Sequence, residues 1–538
     1  MREHRRSGPA VERARWRIAS MTDNVTVASG LPTGLSAASR QAIETRVQEL
    51  GRQLLEEARA VQPTAASSEW WLDRAGDWAL HDDALKVRLF RLIDCMPMLH
   101  DAGAIDRHLR EYFDDDTLGR LPTAIRLGLQ AARQGLLAPV AAVAVRAATH
   151  AQARRFIAGT NAAEVAAAAL AERRKLRAFT LDRLGEAVVS DREADAYAAD
   201  AAELLHALPP VAAEWPPEPL LDEGPEGPLP RVNLSLKLSA LDSQFDAIDP
   251  AGTMARVSGR LRPLWRLARQ RGAHVQIDME DYATKDLTLA IFKALAEDAE
   301  FCDWPDCGVV VQCYLKDAHR DLLDLSAWAQ RRGTPVTIRL VKGAYWDAEK
   351  IHAAAAGWPV PVWEQKSATD RCYEEATTFL LEQSRFLRPA LGSHNLRSLA
   401  HGMAVAEHLG RDPRSLEIQM LYGMADPEKA AVAAAGWRVR VYMPYGELVP
   451  GMAYLVRRLL ENASNDSFLR AGFHDAAAAG QLLAPPPAIA QPATPDLVDS
   501  KLADRGFQNE PLTDFATSTA RSGFASAIDR CRETFAAG

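Results

Sequence analysis

What this chain lacks narrows its chemistry before any motif is read. It has no CxxC pair: Cys95, Cys302, Cys307, Cys313, Cys372 and Cys531 are scattered, and Cys302 and Cys307 stand five apart with no second pair. That spacing argues against a zinc framework and for a reduced, cytosolic compartment. No HExxH, no HxxEH and no Asp/His cluster marks a metal centre, so no metal is expected. No apolar run is long enough to span a bilayer. Met1–Ser20 is rich in arginine but contains Glu3 and Glu12 and has no apolar centre, so it reads as neither a secretory signal nor a good transit peptide. The net charge of −8 argues against a nucleic-acid partner. No GxGxxG follows a strand and no GxxxxGK[ST] occurs, which leaves neither a Rossmann nor a P-loop nucleotide site. What remains is a chain of 538 residues, 48% hydrophobic and 25% charged, with ample apolar material for a large core.

In chain order, residues 1–35 read as disordered or loosely attached. Residues 36–175 read as an all-helical domain. Ser36 to about Ala60 has helical period and Pro63 ends it; Trp71, Trp78, Leu85, Leu89 and Leu92 repeat at helical spacing; the stretch from Leu118 to about Leu176 is alanine-rich. The pattern changes near Arg177. Eight short apolar runs follow: Phe179–Leu184, Val232–Leu238, His274–Asp278, Val309–Tyr314, Val336–Val341, Arg388–Ser393, Leu416–Leu421 and Val439–Tyr442. Stretches of helical period separate most of them, among them Met254–Arg271, Thr284–Asp298, Asp317–Arg332, Lys366–Ser384, Leu396–Leu409 and Asp426–Ala435. This alternation predicts an α/β fold, a TIM-like (β/α)8 barrel over residues 176–473, preceded by the helical domain. The sixth run is the weakest, being disturbed by Pro389 and Gly392. Pro209–Pro230, rich in proline, glycine and acid, reads as a surface loop or disordered insert. Pro450–Asn462 is expected to be helical, and Ala476–Pro495 reads as linker within a terminal segment, 474–538, that ends in a helix.

Sites in parallel barrels gather at the C-terminal ends of the strands. The stretch P-V-T-I-R-L-V-K-G-A-Y-W-D at 335–347 has this character: Arg339 sits inside the run, where an unpaired guanidinium would be costly, and Lys342, Tyr345 and Trp346 follow at its exit. The second run carries Lys237, the third Asp278 and Glu280 two apart on one face, the fourth Gln312. The sixth ends in Ser393-His394-Asn395, the seventh offers Gln419, Leu421 and Tyr422, and the eighth Tyr442. Taken singly, each is more readily a satisfied structural polar residue. Converging on one rim, they would line a pocket.

The late helix adds a sharper signal. In M-A-Y-L-V-R-R-L-L-E-N, Tyr454, Arg457, Arg458 and Glu461 fall at i, i+3, i+4 and i+7, one helix face. Two adjacent arginines against a single glutamate leave net positive charge, and paired planar donors suit a carboxylate. The competing reading is a solvated charged stripe.

V-N-L-S-L-K-L-S-A-L, R-L-V-K-G-A-Y-W-D, S-H-N and Y-L-V-R-R-L-L-E-N, in that order and spacing, resemble the proline dehydrogenases. The similarity covers about residues 67–473 and is closest to the proline dehydrogenase half of the bifunctional proline utilization A proteins; W-W-L-D-R-A-G-D-W-A-L, R-R-F-I-A-G and L-D-R-L-G-E-A look like that group too. The resemblance implies a (β/α)8 barrel with non-covalent FAD. It further implies that L-proline gives up a hydride from C5 to flavin N5, forming Δ1-pyrroline-5-carboxylate on the way to glutamate, and that the electrons pass to a membrane quinone. Carried over to this chain, Arg457 and Arg458 would clamp the proline carboxylate, Lys237 would sit beside it, and Asp278 would orient the lysine and the late helix. Tyr442, Tyr454 and Leu421 would pack on the pyrrolidine ring, and Tyr345 would line the same pocket. Arg339 would lie near flavin N5, Gln312 would hydrogen-bond the isoalloxazine, Lys342 and His394 would bind the diphosphate region, and Trp346 and Glu461 would support the cofactor and the closing helix. No general base is assigned. Such a protein is expected in the cytoplasm, meeting the inner membrane peripherally.

Two departures stand out. V-Y-M-P-Y-G places Met443 where the family more often has a small residue, and the expectation is that it reshapes that edge of the pocket. F-Q-N-E-P-L-T-D-F (507–515) resembles the segment that opens the aldehyde dehydrogenase half of the bifunctional proteins, yet no nucleotide-binding domain or catalytic cysteine motif follows. The expectation is therefore no aldehyde dehydrogenase activity here, with a pyrroline-5-carboxylate (glutamate semialdehyde) dehydrogenase encoded separately or lost. The N-terminus shows no ribbon–helix–helix pattern. Two rival readings remain at this point: another flavin-dependent barrel, such as a methylenetetrahydrofolate reductase-like protein, and a non-catalytic scaffold half of a split enzyme.

Overall fold

The computed structural model describes residues 31–61, 87–88, 91–92, 95, 98–99, 101–113, 154–185, 187–447, 479–488 and 511–537. At its centre eight parallel strands close on themselves: β1 (Arg177–Arg183), β2 (Asn233–Leu236), β3 (His274–Ile277), β4 (Cys307–Gln312), β5 (Val336–Val341), β6 (Leu387–Gly392), β7 (Glu417–Leu421) and β8 (Arg438–Tyr445). Each strand pairs with the next, and β1 closes the ring on β8 with Thr180 opposite Tyr442. The predicted barrel and its eight strands are thus observed, β6 included. Pro389 is tolerated there because it pairs with Ile338 on one side while the ladder to β7 begins one residue later, at Ala390.

The crossovers are helical. They run α4 (Asp191–Ala213), α5 (Pro250–Arg271), α6 (Tyr282–Ala296), α7 (Ala318–Arg332), α8 (Trp346–Ala356), α9 (Lys366–Glu382), α10 (Leu396–His408) and α11 (Asp426–Ala434). Side-chain caps start several of them: Asp249 accepts from Gly252 N, Asp281 from Thr284 N, Asn395 from Ser398 N. Gly272 and Gly333, both left-handed, end α5 and α7. Among the described residues, the helices α1 (Ala37–Ala60, capped by Ser36), α2 (Ala102–Tyr112) and α3 (Ala162–Arg173) precede β1. α1 lies on the barrel's outer layer, against α10 and α11. Arg397 of α10 fastens it there, bonding Glu44 at 2.6 and 2.7 Å and Glu374 of α9 at 3.0 and 3.2 Å.

The strands alternate. Leu234 and Leu236 of β2, and Phe179 and Leu181 of β1, are buried in the apolar core. Asn233, Ser235 and Lys237, with Thr180 and Asp182, take the opposite parity and meet one another inside the barrel, as Thr180 Oγ1 does Asn233 Oδ1 at 2.8 Å. The interior is therefore polar. At its N-terminal end Arg440 bonds Glu417 at 2.8 Å and the carbonyl of Phe179, while His274 meets Gln276 at 3.2 Å.

Two expectations are corrected. The 209–230 stretch is folded: α4 runs on through Pro209 and Pro210 to Ala213, a four-residue turn spans Pro219–Asp222, and a small hairpin pairs Glu223–Gly224 with Gly227–Pro228. Its composition misleads because the ties come from elsewhere in the chain. Arg231 donates to the carbonyls of Ala212 and Trp215 at 2.8 Å each, Arg173 and Arg231 both grip Asp222, and Arg438 donates to the carbonyls of Leu220 and Glu223. Within the expected linker, Leu483 is fully buried, lies against Gly51 of α1, and accepts from Gln48 and Arg397 through its carbonyl. The terminal helix, α12 (Ser518–Ala537), is as expected. The helical readings over 71–85 and 450–462 lie outside the described residues.

Candidate active site

The strand exits bring four predicted residues into one junction. Asp278, just past β3, accepts from Arg339 Nη1 at 2.6 Å through Oδ1, and from the Tyr442 hydroxyl at 2.7 Å and Lys237 Nζ at 3.4 Å through Oδ2. Arg339 also donates to Ser235 Oγ at 2.9 Å and lies over the Tyr442 ring, 5.2 Å from its centroid. Burial alone would raise the Asp278 carboxyl. Lys237 and Arg339, with the Tyr442 hydroxyl, outweigh it and hold the group below the usual carboxylate range.

Lys237 leans more closely on Asp182, whose Oδ1 is 2.5 Å from its Nζ. Sequence reasoning passed over Asp182 and Ser235. The signal was available: both share the parity of Asn233 and Lys237 on strands whose other face is leucine and phenylalanine.

Other predicted residues lie at or just beyond the ends of their strands. Gln312, the last residue of β4, donates to the Glu280 carbonyl at 3.1 Å. Its Oε1 is buried without a hydrogen-bond partner, as is Arg339 Nε. Buried polar atoms need partners, and the polar edge of a cofactor would supply them. Asp278 and Glu280 both follow the end of β3 at Ile277. Glu280 accepts from Ser239 Oγ at 2.7 Å, and burial pushes its carboxyl up. Glu280 and Tyr345 border a cavity of about 230 Å³ together with Asp281, Ala348, Glu349 and His352.

Lys342 pairs with Asp370 of α9, a third residue the sequence reading did not single out, and sits over the Tyr373 ring. Enclosure lowers its ammonium below the ordinary lysine value, with Asp370 opposing. His394 Nε2 accepts from Leu421 N at 2.9 Å, which fixes the imidazole at the end of β7. The Trp346 indole donates to Trp363 O at 2.7 Å, and Lys350 covers its ring. Gln419 sits deeper, donating to Glu417 at 2.7 Å. Met443 does not edge the pocket. Tyr442 points inward to Asp278, so its neighbour takes the opposite face, where it is fully buried in the core. Tyr454, Arg457, Arg458 and Glu461 lie outside the described residues.

The family model for proline dehydrogenase matches residues 165–471, more than half of the chain, and that for the proline utilization A N-terminal domain matches residues 44–156. The chain belongs to the proline dehydrogenase family. Among members of known name, the bifunctional protein PutA of Klebsiella aerogenes is 33% identical over 331 residues, 59% of this chain and 24% of that protein. Proline dehydrogenase 1 of Bacillus subtilis subsp. natto is 29% identical over 321 residues, 60% of this chain and 90% of that protein. The crystal structure of proline utilization A from Bdellovibrio bacteriovorus, inactivated by N-propargylglycine, superposes with a TM-score of 0.81 at 37% identity, covering 91% of this chain and 48% of that one. The chain thus spans about a quarter of the bifunctional relative and about half of the solved one. The Asp278 junction and the Lys342–Asp370 pair both fall within the residues that match the proline dehydrogenase family.

Proposed function

We propose that this chain is an FAD-dependent proline dehydrogenase that oxidises L-proline to Δ1-pyrroline-5-carboxylate and passes the electrons to a membrane quinone. The observation that carries the reading is the carboxylate of Asp278, held by Lys237, Arg339 and Tyr442 at the rim of a barrel of this family.

The donor set fits the cofactor. Gln312 Oε1 and Arg339 Nε offer a buried acceptor and donor to a flavin ring edge, and Lys342 with His394 suits a diphosphate. When bound there, FAD supplies the acceptor for the hydride leaving proline C5. The protein's part is orientation and charge. Asp182 and Asp278 would offer two carboxylates to the positive charge that develops on the substrate's ring nitrogen, and Lys237 and Arg339 pair with them in the folded chain. Tyr442, Tyr345, Leu421 and Tyr454 would enclose the ring. Arg457 and Arg458 would grip the substrate carboxylate, and Trp346 and Glu461 would brace the cofactor and the late helix. A pyrroline-5-carboxylate dehydrogenase would consume the product. Among the described residues no helix is long and apolar enough to cross a membrane, and the meeting with the quinone is proposed to be peripheral, at the inner membrane of a cytoplasmic protein.

The test is the visible spectrum of the purified protein before and after anaerobic L-proline. A flavin spectrum bleached by proline supports cofactor, substrate and reaction together. A yellow protein indifferent to proline would move the substrate to another amine, and a colourless protein unable to take up FAD would favour a scaffold.

A further inference from the structure

Two side chains hold the peptide at which β7 ends. The Leu421 N–H donates to His394 Nε2 at 2.9 Å, and the Leu421 carbonyl accepts from Lys429 Nζ of α11 at 3.1 Å. Leu421 stands opposite Tyr442 in the β7–β8 ladder, and the next amide, Tyr422 N, donates to the Tyr442 carbonyl at 2.9 Å. The held peptide is therefore one strand away from the hydroxyl that reaches Asp278. Beyond it the chain turns through two left-handed residues, Gly423 at φ 74° and Ala425 at φ 53°, before α11 begins.

Lys429 is 1% exposed. An ammonium removed from water is costly unless oxygens receive its protons. Burial pulls Lys429 below the ordinary lysine value, with Asp426 foremost among the groups opposing it. Asp426 lies one turn earlier, 3.1 Å away, and its side chain is 56% exposed. A lysine serving that pair alone could make it from the surface, without being buried. Here the side chain is buried and its head lies on the carbonyl at the end of β7. The pair is itself anchored. Arg177, the first residue of β1, donates to Asp426 Oδ1 at 2.6 Å, to the Asp426 carbonyl at 3.1 Å and to Glu172 Oε2 at 3.1 Å. The ammonium is thus seated through β1 and delivered to β7.

We propose that Lys429 is a positioning residue for substrate-ring selection: it holds the Leu421 carbonyl while His394 holds the amide, and so fixes the Leu421 side chain against the pyrrolidine ring. The inference rests on the reading of Leu421 as part of the ring pocket. Leu421 is only half-buried at the rim, so core packing does not fix it alone. A peptide held at both polar ends swings only by breaking one of those hydrogen bonds. The consequence lies in fit rather than in chemistry. One methylene in an apolar pocket is worth roughly 10- to 200-fold in kcat/KM. That discrimination requires a wall that does not yield to a larger ring.

The test compares kcat/KM for L-proline with that for L-pipecolate, its six-membered homologue, in the full chain. Leu421→Ala should lower the preference for proline by widening the pocket. Lys429→Met should lower it about tenfold, mainly through a raised KM for proline, with flavin content retained. Lys429→Arg, which keeps a charged donor, should restore part of the preference. In the Leu421→Ala background, Lys429→Met should add less than about twofold, because it acts through Leu421. Without substrate, amide hydrogen exchange around Leu421 should quicken in Lys429→Met. If Leu421→Ala shifts the preference and Lys429→Met does not, the ring pocket stands and the proposal is overturned. If neither shifts it, Leu421 does not meet the ring and both fall. A flavin-bound chain that oxidises neither amine overturns the functional reading, and the proposal with it. Should Lys429→Met not fold, Lys429→Gln, which keeps a neutral donor, should shift the same ratio in the same direction by less, and no shift overturns the proposal.

Discussion

Tyr442 and Asp278 meet inside the barrel, the hydroxyl of one donating to the carboxylate of the other at 2.7 Å, although they belong to β8 and to the turn after β3. The contact spans the barrel interior and makes the Asp278 carboxylate a junction of three donors rather than one end of a simple ion pair.

Tyr442→Phe keeps the ring beneath Arg339 and removes only the donor. A hydrogen bond to a charged group is worth about 1.5–3 kcal/mol, so kcat/KM for proline should fall roughly ten- to hundredfold with flavin retained. Steady-state kinetics with an artificial electron acceptor measures this. An unchanged kcat/KM would remove Tyr442 from the site.

Asp278→Asn should cost more in folding than in binding alone, because it strips the charge partner from a buried Arg339 and weakens the hold on Lys237. Removing one partner of a buried pair costs about 3–5 kcal/mol. Denaturant unfolding should show that loss, and Asp278→Asn combined with Arg339→Met should recover part of it.

Lys342→Met should raise the dissociation constant for FAD about ten- to hundredfold, the loss of one charge-assisted contact. Asp370→Asn should give a smaller loss that grows with pH, since Asp370 opposes the enclosure that lowers the Lys342 ammonium. Flavin fluorescence titration at several pH values tests both.

His274 is buried beside Gln276, and burial brings it down to about 3. The folded state therefore keeps it neutral while the unfolded chain protonates it near its ordinary 6.5. Its contribution to stability is full above about pH 6.5 and is lost as the pH falls toward 3, by up to about 1.4 kcal/mol per pH unit. Compared with the parent chain, His274→Gln should flatten the pH dependence of the denaturant midpoint between pH 6 and 4.

Gly343, between Lys342 and Tyr345, has a φ of 131°, and a Cβ there would sit 2.3 Å from the Tyr314 ring. Gly343→Ala should cost about 2 kcal/mol and reduce flavin content, since the exit of β5 must shift. Thermal melting and the ratio of flavin to protein absorbance check it.

The residues most readable from sequence were ionisable groups in the body of a strand. Lys237 and Arg339 have few neutral explanations inside apolar runs, and the structure pairs both inside the barrel. Asp182 was harder to see because R-A-F-T-L-D-R looks amphipathic until its inward parity is matched to that of β2. Asp370 lies on a helix, where only tertiary packing determines which turn faces Lys342. The 209–230 stretch was misread for a related reason: its ties come from Arg173, Arg231 and Arg438, none of them within it. Local composition reports local preference, and long-range hydrogen bonds override it.

The folded 209–230 stretch is anchored to Arg438, the first residue of β8, while Tyr442 further along the same strand donates to Asp278. One strand therefore carries a structural tether at its start and a site residue nearer its end, so a substitution at Arg438 is expected to be felt as stability before it is felt as chemistry.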